Sequence, residues 1–257
     1  MESILFSAQT SSDGVLERDF TLGDIAGVLW SPTSPASDRP TPLVLMGHSG
    51  GMHKRAPGIV ARAERYVSDY GFSVAAIDAP GHGDRPRNRR DQQWVDELMR
   101  TRDAGESIAP VVAEFNASLA QRAVPEWQAT LDALQALPEI GVEAPVGYGG
   151  MTLGTAVGLL LTAVEPRIVA ATLGGVLVYD DLVEAARAIT VPVELQLPWD
   201  DEEIRREGGL ALYDAIGSKE KTLHVNPGRH NQVPWFEIDN SSRFLQRHLG
   251  WGGTLRR

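Results

Sequence analysis

The strongest constraint in this sequence is a repeated alternation of short, continuously apolar runs with segments of helical spacing. Leu43–Met46 leads through Gly47-His48-Ser49-Gly50-Gly51 into an amphipathic stretch, Ile59–Tyr70, closed by Gly71. Phe72–Ile77 runs into Asp78-Ala79-Pro80-Gly81-His82-Gly83-Asp84. Pro145–Tyr148 then enters Gly149-Gly150-Met151-Thr152-Leu153-Gly154-Thr155 and a helix of small residues. Runs at Ile168–Leu173, Val191–Leu197 and Lys221–Val225 follow, with helical patterns over Gly209–Ile216 and Glu237–Leu249. Strands that read as unbroken apolar runs are covered on both faces, and helices between them connect parallel neighbours. The chain therefore predicts a mostly parallel α/β sheet with helices on both sides. Ahead of it, Val15–Leu22 and Ile25–Trp30 flank Gly23-Asp24, which predicts an antiparallel hairpin at the sheet edge. A Pro/Ser-rich link follows, and the polar, Arg-rich stretch from Arg85 to Leu137 interrupts the alternation. It reads as a helical lid, inserted over about 85–122 into a single domain spanning 1–257.

Composition narrows the function. The 257 residues, 42% hydrophobic and 23% charged, suffice for a packed core without staples. Cysteine is absent, which excludes a thiol nucleophile, disulfides and thiolate metal sites. Charges of 24 Lys plus Arg against 34 Asp plus Glu give a formal net charge of −10, which disfavours nucleic acid and anionic membrane as partners. The first residues, Met1 to Gly14, carry no basic segment before an apolar run, and the longest apolar tract, Ala156–Val164, is too short to span a bilayer. A soluble, cytoplasmic protein acting on a small molecule is expected; oligomeric state leaves no mark in the sequence.

Two windows compete for the same chemistry. Gly47-His48-Ser49-Gly50-Gly51 fits G-x-S-x-G, and Gly150-Met151-Thr152-Leu153-Gly154 fits it with threonine in place of serine. Both follow a strand and precede a helix, as a strained nucleophile elbow requires. With the Asp78–Asp84 turn between them, these loops resemble those of the α/β-hydrolases over nearly the whole chain, in particular bacterial esterases and dienelactone-hydrolase-like members. In that family an HG-type oxyanion loop comes first, a DxPGHG-like turn second and the nucleophile elbow third. The resemblance thus implies that His48, Ser49 and Gly50 belong to the oxyanion loop and that Thr152 is the nucleophile, with Ser49 as the alternative.

The same resemblance places an acid and then a histidine after the nucleophile. Val191–Leu197 runs into Pro198-Trp199-Asp200-Asp201, and the family's D-x-x-V spacing favours Asp201 over Asp200 because Ile204 then fills the apolar position. Asp180 and Asp181 are a further alternative from the preceding strand. Asn226-Pro227-Gly228-Arg229-His230 resembles the histidine loop. The implied reaction is acyl transfer on an ester or lactone: His230 takes the Thr152 proton, Asp201 holds the imidazole, and backbone N–H groups of Leu153 and the Ser49–Gly50 segment receive the oxyanion. The threonine methyl crowds a sharp turn, so reduced turnover is expected. The alternatives are a non-hydrolytic homologue, acting as isomerase, lyase or cyclase, and a ligand-binding protein.

No cofactor and no metal is implied. Zinc-protease spacings are missing, and Gly147-Tyr148-Gly149-Gly150 lacks the first βαβ unit of a dinucleotide fold. Asp78 and His82 read as turn residues, and His53, His224 and His248 as ordinary core or surface histidines. Arg85, Arg87, Arg89 and Arg90 read as a solvated face, with substrate-anion recognition as the alternative. Trp94, Met99, Phe115 and Trp127 are candidates for a pocket lining under the lid.

Overall fold

Nine strands form one sheet in the order β1-β2-β3-β5-β4-β6-β7-β8-β9, in a computed structural model that describes residues 3–34, 40–230 and 232–250. The strands are β1 (Leu5–Ser12), β2 (Val15–Leu22), β3 (Ile25–Pro32), β4 (Leu43–Gly47), β5 (Ser73–Ile77), β6 (Val146–Met151), β7 (Ile168–Gly174), β8 (Val193–Pro198) and β9 (Lys221–Asn226). The first three and β5 pair antiparallel, and every pairing from β5 through β4 to β9 is parallel. The helices are α1 (Pro57–Tyr70), α2 (Arg89–Asp103), α3 (Ala109–Gln135), α4 (Leu153–Val164), α5 (Asp180–Ala188), α6 (Arg206–Ala215) and α7 (Trp235–His248). This is the α/β-hydrolase fold.

Alternate residues of the central strands feed two cores. Leu43, Leu45, Val146 and Tyr148 join the larger one with the buried stripe of α3 and with α4. Val44, Met46, Val74 and Ala76 face the other way, onto Ile59, Ala63 and Tyr66 of α1 and Leu245 of α7. That two-sided burial is why these strands read as unbroken apolar runs. Helix α1 starts on Pro57 and ends on Gly71 at φ +68°, whose N–H reaches Val67 O while Phe72 N reaches Tyr66 O.

Three elements depart from the sequence reading. β1 precedes the expected hairpin: Asp13 and Gly14, both at positive φ, turn it back onto β2, and all eight of its residues are exposed. Helix α5 occupies Asp180–Ala188, so Asp180 and Asp181 form a helix's first turn rather than a strand-end loop. The lid boundary expected near 122 falls inside α3, which continues to Gln135 with Leu119, Ala123, Trp127, Leu131 and Leu134 buried in the larger core. The middle of the Pro/Ser-rich link, 35–39, and Asn231 of the histidine loop lie outside the described residues.

Candidate active site

Strand order reverses at β4, which has β5 on one side and β6 on the other, and such a switch point opens a crevice at the carboxyl ends of the strands. The loops after β4 and β6 meet there. Their glycines are set by contact: a Cβ on Gly154 would lie 2.3 Å from Gly47 O, and one on Gly150 would lie 2.5 Å from the Gly154 carbonyl. Between them Thr152 sits at φ +52°, ψ −111°. Among the described residues Asp13 is the one other non-glycine at positive φ, and for a β-branched residue such a backbone is a genuine outlier. The strain is held by β7. Thr152 N donates to Gly174 O at 3.1 Å, and the Thr155 hydroxyl accepts from Gly174 N at 2.8 Å while lying within 2.8 Å of the Gly150 and Gly174 carbonyls.

The first loop carries its positive φ on Gly51, at +73°, and leaves Ser49 relaxed. The Ser49 carbonyl is turned inward, accepting from Met52 N at 3.1 Å and from His48 Nδ1 at 2.8 Å. Its neighbour Gly50 directs its N–H at Thr152 Oγ1, 3.3 Å away, whereas Ser49 Oγ reaches only Met151 O at 3.5 Å. His48 ties the loop to the next strand: Ala79 N donates to its Nε2 at 3.0 Å, so Nδ1 carries the hydrogen. Burial pushes the imidazole pKa down from 6.5 to about 4, and the buried His82 ring lies 5.3 Å away.

On the far side of the crevice, His230 Nδ1 lies 2.8 Å from Asp201 Oδ2. The other carboxylate oxygen accepts from Glu203 N at 2.8 Å and Ile204 N at 2.9 Å, which fixes the side chain at 1% exposure beside an imidazole at 21%. Asp200 does a different job, joining the loops after β8 and β9 through Gly228 N and O. Thr152, Ser49, Gly50, Leu153 and His230 all line one cavity of about 670 Å³. Among the described residues no hydrogen bond joins His230 to Thr152. Leu153 is the first residue of α4, and the first N–H groups of a helix have no partner within it.

Helix α2 and the first half of α3 wall this cavity with Val95, Leu98, Met99, Val112 and Phe115. Trp94 stacks behind Phe115, and Trp127 packs edge-on against Tyr148 in the core, away from the cavity. The arginines separate as well. Arg85 makes a two-pronged pair with Glu126, Arg87 reaches the cavity together with Arg62 and Arg102, and Arg89 and Arg90 are exposed at the start of α2. Asp78 is buried, which pushes its carboxyl up, but hydrogen bonds from Lys54 Nζ at 2.7 Å and from Lys54 N and Asp84 N outweigh burial and hold it below its usual range. These contacts hold the turn together. Among the described residues no three His, Asp or Glu are grouped to hold a metal, and no helix is long and apolar enough to cross a membrane.

A cold-adapted esterase from an Arctic intertidal metagenomic library, solved with polyethylene glycol bound, shares 33% identity across 95% of this chain and 99% of its own, at a TM-score of 0.73. The chain belongs to the esterases of the α/β-hydrolase family. More distant esterases share the fold: acetyl xylan esterase 1 from Thermoanaerobacterium sp. JW/SL YS485 at 14% identity, covering 96% of this chain and 88% of that one, TM-score 0.68, and Est1E from Butyrivibrio proteoclasticus, solved with ferulic acid, at 15%, covering 95% and 100%, TM-score 0.65. No protein-family model and no curated protein matches the chain. Sequence reasoning missed much of this esterase's cavity. Thr172, Gln196, Ser241 and Leu177 line it; of these only Gln196 carried a signal, polar residues at alternate positions of a strand in Val193-Glu194-Leu195-Gln196.

Proposed function

We propose that the chain hydrolyses esters or lactones of small organic acids through Thr152, His230 and Asp201. The observation that carries this reading is the backbone of Thr152. A β-branched residue held at φ +52° at a helix start, with small neighbours packed too tightly for any side chain, is costly unless the position is used. In the reaction His230 Nε2 takes the hydroxyl proton as Oγ1 attacks the carbonyl carbon, and Asp201 accepts the Nδ1 hydrogen and stabilises the imidazolium. The N–H of Leu153, and that of Gly50 now resting on Oγ1, stand beside the developing oxyanion. His230 then gives its proton to the leaving alcohol, and water resolves the acyl-enzyme by the same steps in reverse. The residues from about 85 to 122 act as a cap within one domain, and a cavity of about 670 Å³ suits a small-molecule substrate.

An alkyl fluorophosphonate tests the assignment. Intact mass and peptide mapping are expected to place one adduct on Thr152 and none in His230→Ala protein. An adduct on Ser49 would reverse the roles of the two loops, and ester turnover without any adduct would remove the acyl-enzyme from the mechanism.

A further inference from the structure

The cavity extends beyond the reacting groups. On the sheet face covered by α1 and α7, Met46 pairs with Gly149, Gly149 with Thr172 and Thr172 with Glu194, forming one transverse row. Gly149 contributes no side chain to that row, and a Cβ there would lie 3.3 Å from Thr172 Oγ1. Gly149 is among the cavity-lining residues, and the part of the cavity lined by Met46, Ile59 and Ile238 forms a lobe on this face.

The lobe's apolar walls end on polar groups that are more than nine-tenths buried. Thr172 is 8% exposed and Gln196 7%. The Gln196 amide is fixed from behind: Nε2 donates to Glu194 Oε1 at 3.1 Å and to Ser241 Oγ at 2.8 Å, while Ser241 Oγ donates to Glu194 Oε1 at 2.5 Å. Burial pushes the Glu194 carboxyl up, and His224, 3.9 Å away, faces it from β9. Both amide hydrogens are therefore spent, and Oε1 is left as an acceptor. Among the described residues neither Gln196 Oε1 nor Thr172 Oγ1 has a protein hydrogen-bond partner, and both residues line the cavity.

We propose that this lobe recognises a hydroxyl group on one arm of the substrate. The arm's O–H donates to Gln196 Oε1, and its oxygen accepts from the Thr172 hydroxyl. Because Glu194 and Ser241 hold the amide in place, recognition costs little ordering. An arm ending in a methyl group at that point leaves two buried polar groups unpaired, and sites of this kind discriminate strongly against such analogues. The inference rests on ester hydrolysis for its substrate class, not for its geometry.

Two matched ester pairs test it: ethyl 3-hydroxybutyrate against ethyl 3-methylbutyrate for the acyl arm, and 2-hydroxyethyl butyrate against propyl butyrate for the alcohol arm. In the pair whose arm enters the lobe, kcat/KM is expected to favour the hydroxyl ester by about tenfold or more. Thr172→Val is expected to cut that preference below about threefold. Calorimetric binding of the corresponding unreactive amides reads the same preference without turnover, so a failure of the Thr152 mechanism leaves this test standing. Equal treatment of both members in both pairs, or a preference that survives Thr172→Val and Gln196→Met alike, overturns the proposal.

Discussion

The loops at 47–51 and 150–154 share one sequence pattern and pack against each other, yet their backbones do opposite things. In the first, Gly51 takes the positive φ and α1 begins only at Pro57. In the second, Thr152 itself takes it, and α4 begins on the next residue. The perfect match to G-x-S-x-G is the relaxed loop, and the imperfect match is the strained one. A glycine absorbs a left-handed backbone at no steric cost, so a loop that places glycine there only needs to turn. A loop that places a β-branched side chain there holds that side chain up. The glycines around Thr152 serve close approach rather than flexibility, since Gly150 and Gly154 are limited by contacts of 2.5 and 2.3 Å.

The sharpest way to break this comparison is to delete each hydroxyl in turn. Thr152→Ala is expected to lower kcat on a short-chain ester by at least about a thousandfold, the scale of losing a triad member. Ser49→Ala is expected to stay within about fivefold, because its hydroxyl makes one long contact and the backbone of its loop does the work. Comparable losses in the two variants would erase the distinction.

What was legible in the sequence follows from burial. β4, β5 and β6 announced themselves because both of their faces are covered; loop order is also what singles out Thr152 as the proposed nucleophile. The Asp201–His230 pairing came from loop order and one apolar spacing, and in the structure these two side chains meet at 2.8 Å. β1 was missed because Leu5–Ser12 lies outside the core and needs no apolar pattern; its signal was the Asp13-Gly14 turn, whose two positive φ angles suit a two-residue hairpin. The helical stretch expected to run as far as Leu137 matches α3, but the lid's end near 122 leaves no mark on it, because a helix can begin over a cavity and finish in the core. The polar lobe gave only a faint trace, since Glu194 and Gln196 sit in a strand whose other face is apolar.

A smaller effect separates the loops by pH. His48 holds the first loop as a neutral imidazole, with Nε2 accepting from Ala79 N. In the unfolded chain it takes a proton near 6.5, but in the fold only near about 4, so its contribution is present above 6.5 and is lost as pH falls toward 4. The gap corresponds to roughly 3 kcal/mol, an upper scale for one buried group. Denaturant midpoints measured from pH 7.5 to 4 are expected to fall less steeply in His48→Gln than in the natural protein, with the variant less stable by about 1–2 kcal/mol at the upper end. His82, also pushed down by burial, remains in both proteins. Parallel curves would mean that the loop is tied by something other than this histidine.

The mildest change addresses the second loop alone. Thr152→Ser keeps the hydroxyl and removes the methyl that restricts χ1. Nearly all the strain at φ +52° belongs to the backbone and its Cβ, which serine retains, so stability is expected to rise by no more than about 1 kcal/mol. Turnover should respond more clearly. Among the described residues Oγ1 rests near Gly50 N at 3.3 Å and makes no hydrogen bond to His230, so the proposed attack requires the hydroxyl to swing toward the imidazole. Serine makes that rotation freely, and kcat is expected to rise a few-fold, read as single-turnover acylation with the fluorophosphonate alongside steady-state hydrolysis. A fall of tenfold or more would reverse the argument: the methyl would then be holding Oγ1 in its reactive position, and threonine would be an adapted nucleophile rather than a tolerated one.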